Sequence, residues 1–176
     1  MRCIKRISLF CKRMSNEFKR VKTHLAVLTG LLFVVLGIFT WSFSNDTHKI
    51  ITLFSFPKYA MPIAVMYILW SIVYFMVGYS MVGLVTSCEK YKRIYAQKIS
   101  LIIFMSLFFT YLSYLIFFSA FSPFITFLML LVSALFCLFA FVECKKISCL
   151  WTLILLLYFI WLVYNMLIPL GFFIIN

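Results

Sequence analysis

Long apolar stretches separated by short polar clusters organise this chain. Residues 24–41 form a first apolar run, closed by the polar stretch Ser42 to Lys49. After a connection containing Pro57 and Lys58, a second run covers about 60–86 and stops at Ser87-Cys88-Glu89-Lys90. A third covers about 99–118, and Ser119 to Pro123 is the only break before a fourth at about 124–142. Glu143 to Ser148 then separates a fifth run, about 149–175. A bilayer core about 30 Å thick requires roughly 20 mostly apolar residues per spanning helix. The pattern therefore predicts an all-α integral membrane protein, a bundle of five transmembrane helices preceded by a basic tail over residues 1–23. The first run is long, lacks a small-x-small cleavage site and follows an extended basic region, so it reads as a span and not as a signal peptide.

Composition agrees with that class. Of 176 residues, 66% are hydrophobic, and the mean hydropathy is +1.13, outside the range of soluble domains. The net charge of +12 would suggest nucleic acid in a soluble protein, but here the basic residues flank apolar runs. There they act as topology determinants and as contacts to anionic lipid head groups, and no nucleic-acid partner is expected.

The distribution of Lys and Arg tests the five-span reading independently. The tail holds eight (positions 2, 5, 6, 12, 13, 19, 20 and 22), the second loop four (90, 92, 93 and 98) and the fourth loop two (145 and 146). The first loop holds two (49 and 58), and the third loop and C-terminus none. Fourteen against two is the positive-inside asymmetry of five helices with the N-terminus in the cytoplasm and the C-terminus outside. A bacterial plasma membrane is the default expectation for the host membrane. Within the tail, Ile4, Ile7, Cys11, Met14, Phe18 and Val21 fall on one stripe at helical spacing, with basic pairs on the other side. Two readings stand: an amphipathic helix on the anionic leaflet, or a solvated tail that only fixes orientation.

The cysteines at 3, 11, 88, 137, 144 and 149 form no CxxC pair and lack the surrounding ligands of a metal site. Cys3 and Cys11 lie where juxtamembrane palmitoylation occurs, on weak evidence. From Ile99 to Val142, and from Ile147 onward, there is no Asp, Glu, Lys, Arg or His. Pumps and proton-coupled carriers mark themselves with such groups, and hydrolytic chemistry needs them, so neither class is expected and no enzyme is read here.

The spans are instead rich in aromatics. On the fifth, Trp151, Tyr158, Trp161 and Asn165 project within about a quarter of the circumference. On the third, Phe104, Phe108, Tyr111 and Leu115 share a face, and on the second Tyr67, Trp70, Tyr74 and Gly78 do. Ordinary packing and interfacial belts account for many such residues. Converging aromatic faces with few polar groups would also suit a flat apolar ligand. Gly78 and Gly83 permit close helix approach, although their spacing puts them on different faces and gives only a weak signal for a homodimer.

These residues resemble a known family. The stretch Leu157-Tyr158-Phe159-Ile160-Trp161, with an apolar run closing at Ile175-Asn176, is similar to the last helix of the translocator protein / tryptophan-rich sensory protein (TspO/MBR) family, whose pattern is Pro-Tyr-x-x-Trp with a terminal Leu-Asn. Tyr95, Gln97, Phe104, Phe108 and Phe109 sit where that family has Gln, then Trp, then a Phe-Phe pair. Pro57-Lys58-Tyr59-Ala60-Met61-Pro62 looks like its Pro-x-Trp-x-Phe-Pro. Trp70, Tyr74 and Gly78 reproduce its Trp-x3-Tyr-x3-Gly with about five residues inserted after Pro62; without the insertion the positions fall on Val65, Leu69 and Val73. Departures include Leu157 for proline, Pro169 and Leu101 for asparagines, and Phe104 and Tyr59 for tryptophans.

The resemblance implies a five-helix bundle, often dimeric, binding porphyrins or similar flat hydrophobic molecules in a cavity open toward the first loop. By carry-over, Tyr158 and Trp161 would line it from the fifth helix, Phe104 and Phe108 from the third, and Tyr59 with either Trp70 or Val65 from the loop and second helix, where Tyr74 is a further candidate for ligand binding. Asn165 would either donate to a ligand carboxylate or bond a neighbouring helix. No cofactor is required, and a haem-type tetrapyrrole would be a ligand. The function implied is sensing or regulation of tetrapyrrole transport or stress. A facilitative carrier or export component, or a structural subunit of a membrane complex, are the alternatives. Porphyrin breakdown enters through the resemblance alone.

Overall fold

Each apolar run becomes one helix. In the computed structural model, which describes residues 15–16, 19, 21–42 and 57–175, these are α1 (Thr23–Ser42), α2 (Ile63–Ser87), α3 (Arg93–Ala120), α4 (Pro123–Cys144) and α5 (Cys149–Ile175). All five are long and apolar enough to cross a membrane. The tail stripe lies outside the described residues except for Val21, as does the terminal Asn176.

Local chemistry sets the boundaries. Pro62, with ψ 138°, stands at the N-cap of α2, because the residue before a proline is kept out of the helical region and proline itself has no N–H to place in the ladder. Pro123 opens α4 at a position where its missing donor costs nothing. Between α3 and α4 the turn is made by Phe121 at φ 41°, a left-handed residue closing the helix without glycine. α3 starts at Arg93, before its apolar run, since the polar Arg93–Lys98 stretch continues the same ladder.

The helices form a ring. α1 packs on α2, α2 meets α5, α5 packs on α4, α4 on α3, and α3 returns to touch α1 and α2. Two glycines of α2 serve two of these contacts. Gly78 faces α1, where an added methyl would sit 3.0 Å from the Cα of Gly30 and 3.0 Å from the carbonyl of Thr29. Gly83 faces α5, where the same methyl would lie 2.5 Å from Cζ2 of Trp151 and closer still to Cη2. The five-residue offset between them corresponds to two neighbours within one chain.

In lipid there is little hydrophobic drive between helices, so close packing and interhelical hydrogen bonds hold them together. α5 carries those bonds at seven-residue intervals. Trp151, Tyr158 and Asn165 are each at most 2% exposed, and Phe172 continues their stripe. Near one end of the bundle, Trp151 Nε1 donates to Ser87 Oγ of α2 at 2.9 Å. At mid-depth the Tyr158 hydroxyl meets Thr110 Oγ1 at 3.1 Å and accepts from Ser106 Oγ at 3.3 Å. Ser133 of α4 completes that node, 2.7 Å from Thr110 Oγ1 and donating to the Ser106 carbonyl at 2.8 Å. All four side chains are buried, so each hydroxyl finds within the bundle the partner that lipid cannot supply.

Candidate functional site

The third node of α5 lies in the half of the bundle nearest the first loop, and a cavity adjoins it. α2 presents Tyr67, Trp70 and Tyr74 at spacings of three and four, hence on one face. α1 presents Val34, Gly37, Ile38 and Ser42. Gly37 has no side chain, and the Tyr74 ring fills the space: a methyl there would be 3.0 Å from its Cδ2. Between the two helices lies an open cavity of about 640 Å³, with Trp70 and Tyr74 in its wall; among the described side chains lining it, the polar groups are the hydroxyls of Ser42, Ser71 and the tyrosines and the Trp70 indole N–H. No charged side chain is among the described residues lining it.

Aromatic contacts give the wall its shape. The Trp70 ring lies 4.1 Å from that of Tyr114 on α3, at 52°, and Tyr74 lies 4.9 Å from Tyr111, at 54°. The Tyr111 hydroxyl donates to the Phe33 carbonyl of α1 at 2.7 Å, tying α3 to the helix on the cavity's other side. Behind Trp70, Asn165 Oδ1 accepts from Trp70 Nε1 at 3.0 Å and from the Tyr114 hydroxyl at 3.0 Å. Its Nδ2 donates to the Trp161 carbonyl at 2.7 Å.

The residues singled out from the sequence thus separate. Trp70 and Tyr74 line the cavity and Asn165 braces it. Tyr158 sits in the mid-depth hydroxyl node, bonded to α3. Trp161 stacks on Tyr164, ring centres 5.5 Å apart, with its Nε1 buried and without a hydrogen-bond partner among the described residues. Phe104 and Phe108 are 42% and 51% exposed and face outward, Phe104 touching Phe33 of α1 and Phe108 lying against Phe109. Val65, the alternative to Trp70, is exposed. Of the two roles open to Asn165, the structure shows the interhelical one.

Tyr59 reaches α5. Its hydroxyl donates to the Leu167 carbonyl at 2.6 Å, and its ring occupies the slot that Gly171 leaves, beside Pro57. Tyr164 receives the Met61 amide at 2.9 Å. The segment from Pro57 to Met61, which leads into α2, is therefore fastened to α5.

Sequence reasoning passed over Tyr114 and the Ser106, Thr110 and Ser133 group. A hydroxyl inside a long apolar run was the available signal, since each one in lipid requires a partner. Among the described residues no cluster of His, Cys, Asp or Glu could hold a metal ion. The arrangement offers an apolar wall edged by aromatic rings and hydroxyls, which suits binding. No curated protein matches this chain. The family model for the TspO/MBR family matches residues 28–174, a stretch that takes in most of α1, the whole of α2, α3 and α4, and all of α5 but its last residue. With most of its length matched and its five membrane-spanning helices in place, the chain belongs to the TspO/MBR family.

Proposed function

We propose that this protein binds a flat hydrophobic ligand of the tetrapyrrole type in the cavity between α1 and α2, and that it acts as a sensor or regulator of tetrapyrrole transport or stress. The observation that carries the reading is the cavity itself: about 640 Å³, walled by Trp70 and Tyr74, and free of charged side chains among its described lining. A macrocycle gains from such a wall by stacking and by leaving water, with few polar groups to desolvate. Its carboxylates would be costly at depth. The cavity lies at the first-loop ends of α1 and α2, so a macrocycle inserted ring first keeps its acidic edge near the interface, on the side where Lys58 is exposed. The basic tail then faces the anionic cytoplasmic leaflet.

The test is a titration of the detergent-solubilised protein with protoporphyrin, following Soret absorbance and tryptophan quenching. Wild type is expected to saturate in the micromolar range. Trp70→Ala is expected to weaken binding about tenfold, in keeping with the loss of a stacking partner worth ~1–1.5 kcal/mol. Trp161→Ala is the comparison, expected to change affinity less than threefold. Absence of saturable binding by the wild type rules the reading out, and dependence on Trp161 alone moves the ligand to α5.

A further inference from the structure

We infer that Asn165 is a positioning residue of this cavity: without touching the ligand, it fixes the plane of the Trp70 indole against which a flat ligand stacks. The inference deepens the proposed function and rests on it for the ligand.

The hydrogen-bond chemistry leaves one orientation of the amide. An indole N–H only donates, so the Asn165 atom 3.0 Å from Trp70 Nε1 must be the oxygen. The Trp161 carbonyl only accepts, so the atom 2.7 Å from it must be the nitrogen. Two independent partners therefore set the same rotamer. Oδ1 has two lone pairs, and both are taken, the second by the Tyr114 hydroxyl at 3.0 Å. Asn165 is 2% exposed, so the amide is committed to the bundle and has no acceptor left for a ligand.

Trp70, by contrast, is held along its N–H edge by Asn165 and lies over Tyr114, with ring centres 4.1 Å apart, while it also lines the cavity. An indole pinned at its nitrogen cannot roll about its Cβ–Cγ bond without breaking that bond in a lipid-like interior, where no water replaces it. Asn165 thus couples α5 and α3 to a wall formed by α2. The effect on a ligand is one of preorganisation: the indole, 5% exposed, is already fixed in the cavity wall before binding.

Two readouts test this in the full-length protein. In the first, tryptophan indoles are labelled with ¹⁵N, and the Trp70 N–H resonance is identified by its absence from Trp70→Phe. Asn165→Leu is expected to move that resonance to the position of a non-bonded indole and to speed its hydrogen exchange. The Trp151 resonance, whose donor bonds Ser87, should stay unchanged. Asn165→Ala serves as the second variant if the leucine protein does not fold. An unmoved Trp70 resonance overturns the clamp.

The second readout is a double-mutant cycle on protoporphyrin affinity. Asn165→Leu is expected to weaken binding about tenfold in the wild-type background and less than twofold in Trp70→Phe, because its effect runs through the indole N–H. Equal losses in both backgrounds overturn positioning in favour of direct contact or general disruption. If the wild type binds no protoporphyrin, the proposed function and the ligand clause fall together, while the Trp70 resonance still decides whether the clamp exists.

Discussion

Replacing Gly83 by alanine sets two effects of opposite sign against each other at the α2–α5 contact. Removing a glycine from a helix interior stabilises the helix by ~0.8–1 kcal/mol. Against this, the new methyl would lie 2.5 Å from Cζ2 of Trp151, an indole that is 1% exposed and fixed by its bond to Ser87. Overpacking of this kind costs about 1–3 kcal/mol, and a rigid, enclosed ring puts the case at the upper end. Displacing the indole also strains an interhelical hydrogen bond, for which ~0.6 kcal/mol is the average in membrane proteins. The expected net effect is a destabilisation of about 2 kcal/mol, so packing outweighs propensity. The assay is the SDS mole fraction that unfolds the bundle in mixed micelles, followed by far-UV circular dichroism. Gly83→Ala should unfold at a lower SDS fraction than wild type. Combining it with Trp151→Phe, which makes room, should cost less than the two changes added together. An alanine protein as stable as wild type, or strict additivity in the pair, would refute the reasoning.

Four further outcomes follow from contacts elsewhere. Tyr158→Phe removes a hydroxyl bonded to Thr110 and Ser106 and should cost ~0.5–1.5 kcal/mol in the same unfolding assay, whereas Phe108→Leu, on the outward face of α3, should leave both stability and protoporphyrin affinity unchanged. Tyr164→Phe takes away the acceptor of the Met61 amide, and hydrogen–deuterium exchange at Met61 should accelerate without loss of the helices. Glu143→Gln breaks the 2.7 Å pair with Lys146, but Lys146 is 60% exposed and the change should stay below ~0.5 kcal/mol, as surface ion pairs usually do.

The helices were legible because each is a long apolar run ended by charge or proline, and because Lys and Arg alternate in abundance from loop to loop. The stripe of Trp151, Tyr158 and Asn165 was legible too, since a seven-residue repeat returns to nearly the same helix face. What each member of that stripe touches was not. Period fixes a face and leaves the neighbour opposite it open, so the sequence could not distinguish a ligand carboxylate from Trp70 and Tyr114 as the partner of Asn165. Aromatic identity was an equally weak guide on α3. Phenylalanine is as comfortable against lipid as inside a cavity, and Phe104 and Phe108 face outward. The hydroxyl node was overlooked for a different reason: Ser106, Thr110 and Ser133 are small, scattered over two helices, and noticeable only once α3 and α4 are laid side by side.

The polar stripe on α5 also bears on how the bundle is assembled. Synthesis proceeds from the N-terminus, so α5 enters the membrane after α1, α2, α3 and α4. Until it arrives, Trp70 and Tyr114 lack Asn165, and Ser87 lacks Trp151. Each of these matches is specific in donor, acceptor and depth, so moving α5 along its axis by one turn breaks all three nodes together, where purely apolar surfaces would tolerate the slip. The polar stripe of α5 therefore sets the axial register of the bundle, and a chain stalled before Cys149 would lack the acceptor that Asn165 gives to Trp70 and Tyr114.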